Sequence, residues 1–350
     1  MKNLKYELSP LDDTLREILD KEDVIIYGYA FDEEVTHLIY LLNDGDLIYS
    51  TFSNGDLKKS QIGKFDTKSN YYHQLEILYI NGKLNIFYAY SNFINSNIFT
   101  LHHIIYKDNI ESRFTIIRYI SKKTTASFSV DFDSYGNIHL LYNTLANDIS
   151  YIFYTYYNCH KNSWLRDPIK MSQNDKYNEN PFIFVDSKDN IHGIWWEDMS
   201  NLYVLKYYRM SSSGNERFKW SEVSSLKVES SVPDEILKEN DNIISLIYGD
   251  ESNYFIANSI DYGLSYKPIG NYKVSDIKTK EIPDENNTEK TPIVSKDDMI
   301  ADMLNQITIN QKNLEIQFKD IIEDLAVIKA KIAEIEENSN KNSFFKRLFS

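Results

Sequence analysis

Between residues 24 and 272 the hydrophobic positions fall in short bursts of Tyr, Phe and Ile, parted by polar runs rich in Asn, Asp, Gly and Ser. Bursts of this length and type predict short β-strands joined by tight turns. One burst recurs: Thr36-His37-Leu38-Ile39-Tyr40, Leu84-Asn85-Ile86-Phe87-Tyr88, Ile138-His139-Leu140-Leu141-Tyr142, Ile191-His192-Gly193-Ile194-Trp195 and Ile244-Ser245-Leu246-Ile247-Tyr248. The closing aromatics stand at 40, 88, 142, 195 and 248, spaced by 48, 54, 53 and 53 residues. A second aromatic strand follows each copy, at 47–52, 98–106, 151–157, 202–208 and 254–259. A period near 50 residues with several short strands per unit predicts a β-propeller. Five repeats predict an all-β, five-bladed propeller over 24–272, followed by an α-helical coiled coil. Residues 1–23 form an N-terminal segment in which 4–9 supply a strand that closes the ring.

The pattern changes after the last repeat. Residues 273–297 carry few large apolar side chains and many acidic ones, the composition of a flexible acidic linker. Residues 298–338 contain neither Gly nor Pro, and apolar residues recur there at alternating steps of four and three. Ile300, Ile307, Leu314, Ile321, Ile328 and Ile335 take one seam position of a heptad; Leu304, Gln311, Phe318, Leu325 and Ile332 take the other. Sustained heptads predict a coiled coil, and Leu beside Ile on the seam favours a homo-oligomer of three or four strands over two. The competing reading folds this helix back on the propeller or onto a partner helix. In residues 339–350 a helix would set Phe344, Phe345, Leu348 and Phe349 opposite Lys346 and Arg347. That amphipathic basic tail predicts attachment to a membrane surface or docking to a partner protein.

Composition narrows the choices. The net charge of −14 weighs against general binding of nucleic acid. The single cysteine, Cys159, excludes an internal disulfide framework and a cysteine-based zinc site. No apolar run reaches the ~18 residues of a membrane span, and the first residues lack a signal-peptide core. The expectation is a cytoplasmic protein, peripheral on the inner membrane face. The excess of 27 Tyr over 11 Gly and 7 Pro agrees with many half-buried strands.

Candidate chemistry is sparse. His37, His139 and His192 share one repeat position, where a ring of metal ligands is an option. Asn85 and Ser245 replace them in the other units, which suits inter-strand hydrogen bonding better, so neither metal nor cofactor is expected. Carboxylates near the repeats, Asp131, Asp133, Asp186, Glu197 and Asp198, are candidates for a glycosidic pair. Trp195 and Trp196 beside Glu197 and Asp198 are candidates for carbohydrate or partner binding. No phosphate loop, zinc-protease motif or nucleophile elbow is present.

The fourth unit, Asp186 to Trp196, and the turn Ser259-Ile260-Asp261-Tyr262-Gly263-Leu264-Ser265-Tyr266 resemble the sialidase-type propellers and their Asp-box, Ser-x-Asp-x-Gly-x-Ser/Thr-Trp. Tyr266 stands where that motif has Trp. The resemblance implies a hydrogen-bonded hairpin turn built by Ser259, Asp261, Gly263, Ser265 and Tyr266. Sialidases also bind their substrate carboxylate with three arginines. Here the propeller region holds Arg113, Arg118, Arg166, Arg209 and Arg217, and the Phe/Tyr-Arg-Ile-Pro motif is absent. No catalytic residue follows from the resemblance. The tail is similar to the membrane-targeting sequence of the cell-division ATPase MinD, Phe-Leu-Lys-Arg-Leu-Phe.

The sequence thus reads as a non-catalytic interaction scaffold, multimerised by its coiled coil and recruited by its tail, and weighs against an enzyme. The alternative is a multivalent glycan-binding, lectin-like propeller. A residual glycosidase using Glu197 or Asp133 comes third.

Overall fold

The computed structural model describes residues 22–273, apart from 33–34, 54–55, 122–126, 174–175, 201, 215–217, 224–227, 231–234, 241 and 251–252. The expected closing strand at 4–9, the linker, the heptad residues from Ile300 to Ile335 and the tail residues Phe344 to Phe349 lie outside the described residues.

The described chain is all-β and holds no helix. It forms five antiparallel sheets of four or five strands, an arrangement consistent with a β-propeller. The first sheet comprises Val24–Asp32, Val35–Leu42, Asp46–Ser53 and Asp56–Lys64; the second, Asn70–Ile80, Lys83–Asn92, Ile98–Tyr106 and Ile110–Ile120. The third has Phe128–Phe132, Ile138–Ala146 and Ile149–Asn158 with two short outer strands, Ser163–Trp164 and Ile169–Lys170. The fourth has Asn178–Val185, Ile191–Asp198 and Tyr203–Met210 with Trp220–Glu222 and Glu229–Ser230. The fifth has Glu235–Asn240, Ile243–Asp250, Asn253–Ser259 and Lys267–Lys273.

The recurring burst of the sequence is the second strand of every sheet. Its unbroken apolar run has a simple cause: both faces of that strand are buried, so successive side chains enter different cores. In the first sheet Leu38 and Tyr40 pack on one face, while Ile39 and Leu41 join Leu75, Ile77 and Ile86 of the second sheet. Further cores join the second sheet to the third, the third to the fourth, and the fourth to the fifth. The sheets therefore stack in chain order.

Side chains of the first strands of the second and third sheets also satisfy backbone at the first strand of the sheet that follows. Gln74 Oε1 accepts the Ser127 N–H at 2.9 Å, and Ser129 Oγ accepts the Ile183 N–H at 3.3 Å. Asp131 Oδ2 accepts the Val185 N–H at 2.7 Å. These bonds occupy edge donors that would otherwise be buried and unpaired. Between the first two sheets the backbones come so close that a Cβ on Gly28 would meet Leu75 Cδ2 at 2.6 Å. The consistent offset keeps equivalent strand ends of the second, third and fourth sheets on one side.

The three repeat-position histidines are separated by this stacking. His37 Nδ1 bonds Tyr49 Oη at 2.7 Å, His139 Nδ1 bonds Tyr154 Oη at 2.8 Å, and His192 Nδ1 bonds Tyr207 Oη at 2.6 Å. The second sheet swaps the chemistry, with His103 Nε2 3.0 Å from Asn85 Oδ1. Each imidazole thus belongs to a different interface between strands.

Candidate functional site

Trp195 and Trp196 are 1% and 0% exposed. As neighbours on a strand they point to opposite faces: Trp195 packs with the third sheet's Leu141 and Tyr154, Trp196 with Leu237 and Leu246 of the fifth. Trp195 Nε1 donates to Asn178 Oδ1 at 3.0 Å. Neither indole has a face free to receive a sugar. Glu197 is buried, with Lys176 Nζ 3.2 Å from its Oε1, while the half-buried Asp198 accepts the Ser200 N–H at 2.6 Å.

The other candidate carboxylates hold turns. Asp133 ends the first strand of the third sheet; its Oδ1 accepts the N–H groups of Tyr135 and Asn137 at 3.0 and 2.8 Å. Asp186 does the same in the fourth sheet for Lys188 and Asn190, at 2.8 and 2.9 Å. Asp186 Oδ2 is also 3.1 Å from His192 Nε2, and both side chains are fully buried. Burial alone would raise the Asp186 pKa, but the hydrogen bonds from His192 and Asn190 outweigh it and hold the carboxyl below its ordinary value. For His192 burial dominates and lowers the pKa despite Asp186. Asp133 lies where the first strand of its sheet ends, and Glu197 where a second strand ends. These are opposite ends of the sheets. They cannot serve as a carboxylate pair a few ångströms apart.

The residues Ser259 to Tyr266 form a tight turn between the third and fourth strands of the fifth sheet. Ser259 Oγ donates to Asp261 Oδ1 at 2.7 Å and accepts the Gly263 N–H at 2.8 Å. Asp261 accepts from the Ser265 N–H and hydroxyl at 2.9 and 2.6 Å. Gly263 has φ of 80°, and a Cβ there would meet Tyr207 Oη at 2.5 Å. Tyr266 Oη lies 2.8 Å from Tyr207 Oη, inside the core. All five residues are used by the fold.

A different picture holds at one end of the second sheet. Tyr71 is the second residue of its first strand, Phe93 and Ile94 follow its second, Ile98 begins its third and Ile120 ends its fourth. All five are exposed: Tyr71 by 40%, Phe93 by 42%, Ile94 by 88%, Ile98 by 46% and Ile120 by 45%. In an antiparallel sheet those positions share one end. The Tyr71 and Phe93 rings lie 4.1 Å apart, tilted by 52°. Around them are Asn70, Asn92 and His73, the last bonded through Nε2 to Ser91 Oγ at 2.7 Å. Contiguous exposed apolar groups with polar neighbours mark a binding surface. In the sequence these residues look like ordinary strand members; the one usable signal is Phe93-Ile94 continuing past the polar Asn92, where a turn is due.

No family model matches the chain, and no curated protein matches it in sequence. Among solved structures it is similar to a thermostable family-43 glycoside hydrolase, with 13% identity, 71% of this chain and 87% of that one covered, and a TM-score of 0.40. An endo-arabinase from Bacteroides thetaiotaomicron matches with 12% identity, 72% and 93% coverage and a TM-score of 0.35. The SapL1 lectin in complex with alpha methyl fucoside matches with 8% identity, 69% and 78% coverage and a TM-score of 0.42.

These matches correct the sequence reading. The structures are glycoside hydrolases and a lectin, in place of the sialidase-type propellers and the MinD-type tail. The non-catalytic scaffold and the weighting against an enzyme fall with that resemblance. Asp131, Asp133, Glu179, Asp186 and Glu197 are buried carboxylates. The coiled-coil heptads and the amphipathic tail expected to attach to a membrane fall on residues outside those described. No described helix is long and apolar enough to cross a membrane.

Proposed function

We propose that the chain is a carbohydrate-recognising protein. Its five sheets are the blades of one five-bladed propeller spanning 24–272, and the sugar is received where the first strands begin and the second strands end. The observation that carries this reading is the exposed Tyr71–Phe93 pair. The C–H face of a pyranose packs on aromatic rings, while its hydroxyls need donors and acceptors at the rim. Asn70 and Asn92 stand at that rim. A glycan array probed with the full chain tests the reading. Binding that weakens at least ~10-fold in Tyr71→Ala and Phe93→Ala supports it. Silence of the folded protein across neutral and acidic glycans would overturn it.

A catalytic form of the same reading rests on Glu197, a buried carboxylate at the equivalent end of the fourth sheet with one lysine beside it. Such a group is suited to general acid or base chemistry. Product analysis of the bound glycans decides this form: cleavage lost in Glu197→Gln supports it, and intact glycans exclude it.

A further inference from the structure

We propose that the second sheet holds a site for the carboxylate of an acidic sugar, formed by Arg113 and Arg118 with His102 between them. The inference rests on the carbohydrate reading and adds the charge of the ligand.

Cross-strand register brings the groups together. Thr100 pairs with Arg118, His102 with Thr115 and Ile104 with Arg113, so the three outer residues and the three inner ones share one face. Arg113, Thr115 and Arg118 are exposed, and His102 is half-buried. Tyr88 and Tyr90 wall the imidazole, their ring centres 5.3 and 5.5 Å from it.

Three features separate this face from an ordinary solvated strand. First, neither arginine has an ion pair with any described carboxylate, in a chain whose net charge is −14. The acid on the same strand, Glu111, is bound by Lys83 Nζ at 2.6 Å. Second, His102 Nδ1 is buried without a hydrogen-bond partner, and its Nε2 is 3.4 Å from Thr115 Oγ1. Third, the two guanidinium groups act on the same imidazole: burial first, then Arg113 and Arg118, lower the His102 pKa. Two unpaired guanidinium groups around one imidazole make a local positive field. A carboxylate satisfies it, because its two oxygens match the planar N–H fork of arginine.

Titration of the full chain with a uronate-rich oligosaccharide and a neutral one of equal length tests the proposal, with D-glucuronate, D-glucose and inorganic phosphate as small probes. The acidic oligosaccharide is expected to bind at least ~10-fold more tightly, with the preference shrinking as salt rises. Arg113→Gln with Arg118→Gln should abolish that preference and leave neutral-glycan binding unchanged. Both positions are exposed, so the variant is expected to fold; an unaltered unfolding midpoint checks it. The His102 imidazole resonances should shift with glucuronate and stay fixed with glucose. Neutral binding without any acidic preference would overturn this site and leave the carbohydrate reading standing. Phosphate shifting His102 as strongly as glucuronate would overturn the assignment to a sugar acid. Failure of every glycan, with His102 still answering glucuronate, would strike the carbohydrate reading and spare the site.

Discussion

The second and fourth sheets are built to the same plan and spend their polar side chains differently. In the fourth, Asp186, Asn190, His192 and Tyr207 form one buried hydrogen-bonded chain that continues to Tyr266 of the fifth sheet. Its turn is gripped from the next sheet, where Glu239 accepts the Ser187 N–H and hydroxyl at 2.7 and 2.6 Å. The third sheet repeats the device, with Asp189 accepting from the Ser134 N–H and hydroxyl at 2.8 and 2.6 Å. The second sheet turns on Asn81-Gly82, with φ of 50° and 76° and no carboxylate. It leaves Tyr71, Phe93, Arg113 and Arg118 exposed. Residue types associated with chemistry are thus consumed by folding in one sheet, while less suggestive ones are left available in the other.

The sharpest way to break this contrast is Asp186→Ala. It strands the buried donors of Asn190 and His192 and the turn N–H of Lys188, and should cost about 3–5 kcal/mol in denaturant unfolding. A loss under ~1 kcal/mol would mean the turn carries little of the fold. Gly263→Ala forces a positive φ on a residue with a Cβ and drives that Cβ into Tyr207 and His192. A loss of about 2–4 kcal/mol is expected, read as a lowered urea midpoint.

Acid should act through the buried imidazoles. Burial lowers His37 from 6.5 to about 4, with Asp32 opposing, and burial lowers His103 from 6.5 to about 3. Both stay neutral in the fold while the unfolded chain takes up protons below its value of 6.5. Their contribution is full above 6.5 and is lost as pH falls towards about 4 and about 3. Stability should therefore drop with acidification by up to ~1.4 kcal/mol per pH unit for each histidine. His103→Gln should flatten the curve below pH 6.5; an unchanged slope would refute the assignment. The smallest effect is expected in the second sheet, where Tyr71→Ala and Phe93→Ala should change stability by about 1 kcal/mol or less while impairing glycan binding. A large loss of stability would place that pair among the structural groups.

Legibility in the sequence followed burial. The five second strands were readable because both their faces are covered, which forces an apolar residue at nearly every position from Leu38 to Leu41 or from Ile138 to Tyr142. The same rule hides the functional positions. Trp195-Trp196 beside Glu197-Asp198 has the composition of a sugar platform, yet the period of two sends the indoles into separate cores. Asp133 and Glu197 are both acidic and both near a repeat, but antiparallel pairing sets them at opposite ends. Arg113 and Arg118 carry no sequence sign of being a pair, since a bulge between positions five residues apart hides that both lie on the face of the sheet that holds His102.

The sequence by itself determined the strand-rich class, the five-fold recurrence and the residues of the Ser259–Tyr266 turn, because periodicity, turn chemistry and positive-φ glycine act over a few neighbouring residues. Only the tertiary structure decided which polar groups were already satisfied. That depends on bonds such as Asp131 to Val185 and Ser187 to Glu239, which join residues one whole repeat apart. A carboxylate or arginine becomes a functional candidate by what the neighbouring sheet leaves unpaired, and no local pattern records that.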